Sequence, residues 1–185
     1  MVKLPTERAA ATKSGMDTRW RKLERDPLHA GPCDAQIERE AIHRVLPHRA
    51  TMLLIDRILG VDLGQATISG EYDVRADDPI FEGHFPNQPI FPGVLQAEAV
   101  GQLGLCMAWF AEHGRTTVTG DGIPLRARVT RIHHARFFRP VVPGDTLEVH
   151  AALLERDAFA GTAAGQIYVD GSLRSVAAFE VYFDA

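Results

Sequence analysis

Cysteine is nearly absent from this chain. The two present, Cys33 and Cys106, lie 73 residues apart with no CxxC or CxxxC spacing, which argues against a disulfide framework and a zinc site. No metal is expected, and free thiols suit a reducing cytosol. Positive charge is not in excess either: the formal net charge is -4, which offers no global drive toward nucleic acid. No uninterrupted apolar run approaches the ~20 residues that span a bilayer, and the N-terminus lacks the basic, apolar and small-residue zones of a secretory signal. The expected location is therefore the cytoplasm, without membrane association. Internal repeats and low-complexity segments are missing as well. What remains is an ordinary globular composition, 45% apolar and 24% charged over 185 residues, enough for one domain with a full core.

Residues 1–35 mix Arg and Lys with Glu and Asp, are rich in Ala, and end in Pro and Gly. They read as an N-terminal extension, either mobile or carrying a short helix around Thr18 to Arg25 that Trp20 docks on the body. Residues 36–185 read as a single domain. "MLLIDRIL" (52–59) and the alternating "QATISGEYDV" (65–74) are expected strands. Residues 93–112 form one long apolar segment between Pro92 and Gly114, helix start and stop signals. Apolar residues lie nearly all round it, so the helix should be buried on most sides. After Gly120 the chain reads as strands: "IPLRARVTRI", "ARFFRPVV", "TLEVHAALLER", "GQIYVDG" and "SVAAFEVYF". The fold class is α+β, a curved antiparallel sheet wrapped around a long helix.

Within residues 83–102 stands one carboxylate, Glu98, in the first half of that helix between Ala97 and Ala99. Desolvation would push its pKa upward, toward proton exchange near neutrality, and Gln102 at i+4 is placed to hydrogen-bond it. Position alone leaves open that Glu98 reaches a surface or forms a structural ion pair. His84 precedes three prolines, Pro86, Pro89 and Pro92, in a stiffened loop, and histidine is the usual proton carrier near neutral pH. Pro92-Gly93 opens the helix, so its first N–H groups point outward where an oxygen gaining negative charge could sit. A proton-carrying histidine, a buried acid and an oxyanion donor are what elimination beside a carbonyl requires.

"LPHRATMLLIDRI" (46–58), "GHFPNQPIFPGVLQAEAVGQ" (83–102) and "RFFRPVVPGDTLEV" (136–149) resemble, in order and spacing, three segments of the bacterial (3R)-hydroxyacyl-[acyl carrier protein] dehydratases of the FabZ type. The resemblance implies a hotdog fold, a homodimer with composite sites, with assembly into a trimer of dimers left open, and no cofactor. It makes His84 and Glu98 the catalytic pair and the Gly93 N–H the holder of the thioester carbonyl. Val94, Phe85, Phe91 and Gln102 become substrate-site residues. The FabA-type sisters, which also isomerise the double bond, carry aspartate at the position of Glu98, so dehydration alone is implied. The substrate would be a 3-hydroxyacyl thioester on acyl carrier protein or CoA.

Asn87 stands where the family commonly has glycine, and Phe91 where methionine is usual, both near the expected substrate entrance. With the long extension, they leave room for polyketide or other specialised synthesis besides fatty-acid elongation. Arg126, Arg128, Arg131, Arg136 and Arg139, with no acid between them, form a candidate docking patch for an acidic carrier; a merely solvated strand face is the alternative. His133 and His134, adjacent on an expected strand, should point to opposite faces and make a poor metal pair. Rival functions are a hotdog thioesterase, a non-catalytic acyl-binding subunit, and an enoyl-CoA hydratase running the reverse reaction.

Overall fold

The structure is a computed structural model, in which residues 20–120 and 122–184 are described. Among the described residues, the seven strands are β1 (Pro32–Glu38), β2 (Arg57–Asp62), β3 (Thr67–Asp73), β4 (Ala127–Phe137), β5 (Thr146–Arg156), β6 (Ala160–Val169) and β7 (Ser172–Phe183). They form one sheet in the order β1-β2-β3-β5-β6-β7-β4, and every pairing is antiparallel. The short helices α1 (Arg39–Ile42) and α2 (Ile80–Gly83) precede the long α3 (Gly93–His113).

The central helix starts after Pro92 and ends on Gly114, whose positive φ of 59° gives the left-handed cap that a Cβ would disfavour. Helix α3 lies in the curve of the sheet, touching β3, β5, β6 and β7. Val100, Leu103, Cys106, Met107, Trp109 and Phe110 are all buried, each large apolar side chain worth about 1.5–3 kcal/mol of transfer free energy. The helix can come this close because β6 carries Gly165. A Cβ there would sit 2.3 Å from the His150 carbonyl oxygen and 2.6 Å from Val100 Cγ1, and the backbone oxygen cannot yield. Strands β6 and β7 join through Asp170 (φ 50°) and Gly171 (φ 67°), the positive pair of a tight hairpin turn.

Several expectations are corrected. "MLLIDRIL" is not one strand: residues 50–52 form a 3-10 turn and β2 begins at Arg57. Leu53, Leu54 and Ile55 are buried, but the Leu54 N–H is taken by the Gln102 side chain at 2.9 Å instead of a neighbouring strand. "IPLRARVTRI" and "ARFFRPVV" are not separate strands, because Ala127–Phe137 is continuous. His133 and His134 do not diverge as simple alternation requires. His133 stacks on Trp20 at 5.5 Å and His134 Nε2 lies 3.4 Å from Glu24, because the β4–β7 register slips between Ile132 and His134.

Strand β1 crosses residue 35, where the sequence reading divides extension from domain. Residues 20–30 lie over β6, β7 and β4. Trp20 and Leu23 are buried with Ala164, Val176 and Ala178. Buried Gln166 uses its whole amide on this strap: Oε1 accepts the Leu28 N–H at 2.7 Å, and Nε2 donates to the carbonyls of Leu23 (2.5 Å) and Asp26 (3.0 Å). The remainder of the expected Thr18–Arg25 helix, before Trp20, lies outside the described residues.

Candidate active site

His84 caps the short α2, its N–H bonded to the Ile80 carbonyl at 3.0 Å. The loop after it closes on itself, since Ile90 N–H donates to His84 O at 3.0 Å and His84 Nδ1 lies 2.7 Å from Ile90 O. A carbonyl can only accept, so Nδ1 carries the hydrogen and Nε2 is left with the basic lone pair. The imidazole stacks on Phe85 at 4.3 Å, and Phe85 itself is 52% exposed.

At the start of α3, the N–H groups of Leu95 and Gln96 bond to Pro92 O at 3.0 and 3.2 Å. Those of Gly93 and Val94 have no acceptor among the described residues, and the Val94 side chain is 74% exposed. Two donors at the positive end of a helix therefore face outward. A Cβ at Gly93 would stand 3.0 to 3.2 Å from the Phe137 ring, close enough that the ring would have to shift. Phe91, expected beside the entrance, lines a surface pocket with Gly93 and Phe137 but presents little surface of its own. It is buried at 1% exposure, its ring 5.8 Å from that of Tyr72 and its N–H on Val141 O at 2.8 Å, so it anchors the helix start from below.

Glu98 lies one and a half turns further on, its side chain 32% exposed. Gln102 donates from Nε2 to Glu98 Oε1 at 2.9 Å. The amide has no freedom to turn, because the same nitrogen donates to Met52 O at 2.7 Å and its oxygen accepts from Leu54 N–H. The second group on Glu98 was not foreseen: His48 Nε2 is 3.3 Å from the same oxygen. Hydrogen bonding to His48 holds the Glu98 carboxyl below its ordinary value, against burial, which alone would raise it, with Gln102 adding to the downward pull. The expected upward shift is thus overturned, because burial at Glu98 comes with donors. His48 was legible only as part of "LPHRATMLLIDRI"; the signal that could have marked it is a histidine fixed between Pro47 and Arg49.

Glu98, His48 and Gln102 stand at one end of a cavity of about 190 Å³ whose other walls, including Leu105, Val129, Leu153 and Phe179, are apolar. His84 does not line it. Of the basic patch, Arg128 pairs with Asp184 and Arg136 with Glu24, each at 2.6 Å, while Arg126, Arg131 and Arg139 are exposed. Among the described residues, no cluster of His, Cys, Asp and Glu suited to a metal occurs.

The curved antiparallel sheet around α3 is the hotdog fold, here carrying a histidine, an acid and an open helix start. Residues 46–178 match the model of the FabA-like domain, and the chain belongs to that family. The 3-hydroxyacyl-[acyl-carrier-protein] dehydratase FabZ of Syntrophotalea carbinolica is 37% identical over 142 residues, 77% of this chain and 91% of the relative. The dehydratase of the same name from Desulforamulus reducens is 38% identical over 141 residues, covering 74% and 90%. Among solved structures, the dehydratase heterocomplex ApeI:P from Xenorhabdus doucetiae superposes with a TM-score of 0.59 at 19% identity, over 78% of this chain and 91% of that one. A hypothetical thioesterase with coenzyme A from Streptococcus pneumoniae gives a TM-score of 0.51 at 9% identity, over 69% and 84%. The fold is thus common to both kinds of protein, and chemistry must be argued from the side chains.

Proposed function

We propose that this protein dehydrates a (3R)-3-hydroxyacyl thioester, carried on acyl carrier protein, to the trans-2-enoyl thioester in fatty-acid or polyketide-type synthesis. The observation that carries the reading is Glu98 at the polar end of an apolar cavity, with unpaired N–H groups at the start of the same helix. The cavity takes the acyl chain. The Gly93 and Val94 N–H groups polarise the thioester carbonyl, which acidifies the α-carbon. His84 Nε2 removes the α-proton, and Glu98 gives a proton to the departing β-hydroxyl, directly or through one water. Because His48 and Gln102 favour the ionised carboxylate, the donor is the minor protonated form of Glu98, replenished from solvent. The α C–H and β C–O bonds break, the double bond forms between those carbons, and water leaves. His84 ends protonated and Glu98 ionised, and solvent exchange restores both.

The protein acts as a homodimer in which His84 of one copy meets Glu98 of another. Support comes from β4, an eleven-residue edge strand with Val129, Ile132 and Phe137 exposed. Such an edge is a template for a second copy. Dimerisation and carrier docking then compete for β4, because Arg128 and Arg131 lie on that strand. Arg126 and Arg139 flank it, which leaves them as the arginines best placed for an acidic carrier.

The purified protein, given 3-hydroxyacyl and simple acyl thioesters on both carrier protein and CoA, is expected to generate enoyl absorbance without free thiol. Thiol release from simple acyl thioesters would establish a thioesterase instead. Abolished turnover in both His84→Ala and Glu98→Gln, with intact folds, is the expected outcome; a near-normal rate in either sinks that residue's assignment.

A further inference from the structure

Two residues outside the proposed reacting pair converge on a single oxygen of Glu98. Oε1 receives the Gln102 amide at 2.9 Å and faces His48 Nε2 at 3.3 Å. An ionised carboxylate oxygen is only an acceptor, so at this ion-pair distance a hydrogen directed at it belongs to Nε2 of His48. The other ring nitrogen, Nδ1, is buried with no hydrogen-bond partner, which suits a bare lone pair better than a second N–H. This ring is therefore committed as a donor to Glu98. Its backbone is equally committed, since Arg49 reaches the carbonyls of Leu46 and His48 at 2.7 Å and that of His43 at 2.8 Å.

By contrast, Glu98 Oε2 has no hydrogen bond among the described residues. The titratable group facing Glu98 is His48. Gln102 from its own helix and the backbone of residues 52–54 are neutral, and the cavity walls that β4, β5, β6 and β7 contribute are apolar.

We infer that His48 is a positioning residue which, with Gln102, clamps Glu98 through Oε1 and leaves Oε2 as the one oxygen that exchanges a proton with substrate. The inference deepens the dehydratase reading and rests on its assignment of Glu98. A carboxylate free to rotate would offer either oxygen at any angle; clamped, it presents one lone pair toward the cavity, and geometry of that kind is where positional losses are large.

The test uses the full-length protein and the variants His48→Ala, His48→Gln and Glu98→Gln. Turnover of a 3-hydroxyacyl thioester gives kcat and KM separately, and carbon NMR of glutamate-labelled protein follows the Glu98 carboxyl, assigned through Glu98→Gln. Loss of the His48 donor should lower kcat on the order of 10- to 100-fold with little change in KM. It should also raise the Glu98 titration midpoint, because the ionised form loses a hydrogen bond. His48→Gln, which restores an N–H near the same place, should recover most of both; if His48→Ala does not fold, His48→Leu, which keeps bulk without a donor, takes its place. Wild-type kcat, or an unmoved Glu98 midpoint, in the donor-less variant overturns the clamp. Undiminished turnover in Glu98→Gln would overturn the site assignment itself, a failure distinct from that of His48, whose NMR readout does not depend on activity.

Discussion

Replacing Gln166 by leucine tests whether the N-terminal strap belongs to the folded body. The side chain is fully buried and satisfies three backbone groups of residues 23–28. Leucine fills much of the volume but leaves those groups without partners. A buried orphan costs ~1–3 kcal/mol, and the two bonds that are only partly buried, to Leu28 N–H and Asp26 O, recover some water, so the total comes to about 2–4 kcal/mol. For a domain of this size that corresponds to a fall of roughly 5–12 °C in Tm. The loss is capped, because the strap can lift off instead, at the expense of burying Trp20 and Leu23, roughly 3–6 kcal/mol together. Thermal melting followed by circular dichroism, with amide exchange at Leu28, reads both routes. An unchanged Tm together with unchanged protection of the Leu28 amide would refute the reasoning.

Four further outcomes are expected. Gly165→Ala should destabilise the fold by at least ~1–3 kcal/mol, read by chemical denaturation, because its Cβ meets the His150 carbonyl oxygen at 2.3 Å. Mixing separately inactive His84→Ala and Glu98→Gln proteins, with subunit exchange, should restore about a quarter of wild-type activity, since half the dimers are mixed and each has one intact site; no recovery despite measured exchange would place both residues in one protomer. Charge reversal at Arg126 and Arg139 should raise KM for the carrier-bound substrate and not for a small thioester mimic. Acid should loosen the strap: burial opposes the ionised form of Glu24, but Arg136 and His134 outweigh it and hold the carboxyl below its ordinary 4.5. A depressed carboxylate contributes stability above the unfolded value that is lost as pH falls through the folded one, so stability should decline below about pH 4.5, and Glu24→Gln should flatten that decline in melts across pH.

The central helix was legible almost to the residue because Pro92 and Gly114 act locally and the apolar segment between them is long. Strand β5 was legible from the alternation of Leu147, Val149 and Ala151 with Glu148 and His150, and β7 from the largely apolar "SVAAFEVYF". Residues 52–56 misled because burial and strand pairing are separate facts. Leu53 to Ile55 are as apolar as a strand, yet their order comes from a Gln102 side chain 48 residues beyond Leu54 and from Arg39, which bonds the Leu53 carbonyl at 3.1 Å. Glu98 stood out in the sequence as the one carboxylate of residues 83–102, while the direction of its pKa depended on His48, 50 positions earlier, which no helical or strand period connects to it. The slip that brings His133 and His134 to the same strap is likewise a property of the β4–β7 pairing, invisible to alternation within one strand.

The loop from His84 to Ile90 is fastened at its base by two bonds between those residues and across its tip by Phe85 and Gln88, whose N–H groups each reach the other's carbonyl at 3.4 and 3.1 Å. Pro86 and Asn87 stand outside the basal bonds, in solvent. The imidazole is therefore held by the neck of the loop and not by its tip, and the two can be varied separately. Exchanging residues 86 and 87 becomes a means of reshaping what passes over the entrance while the base that would do the chemistry keeps its aim.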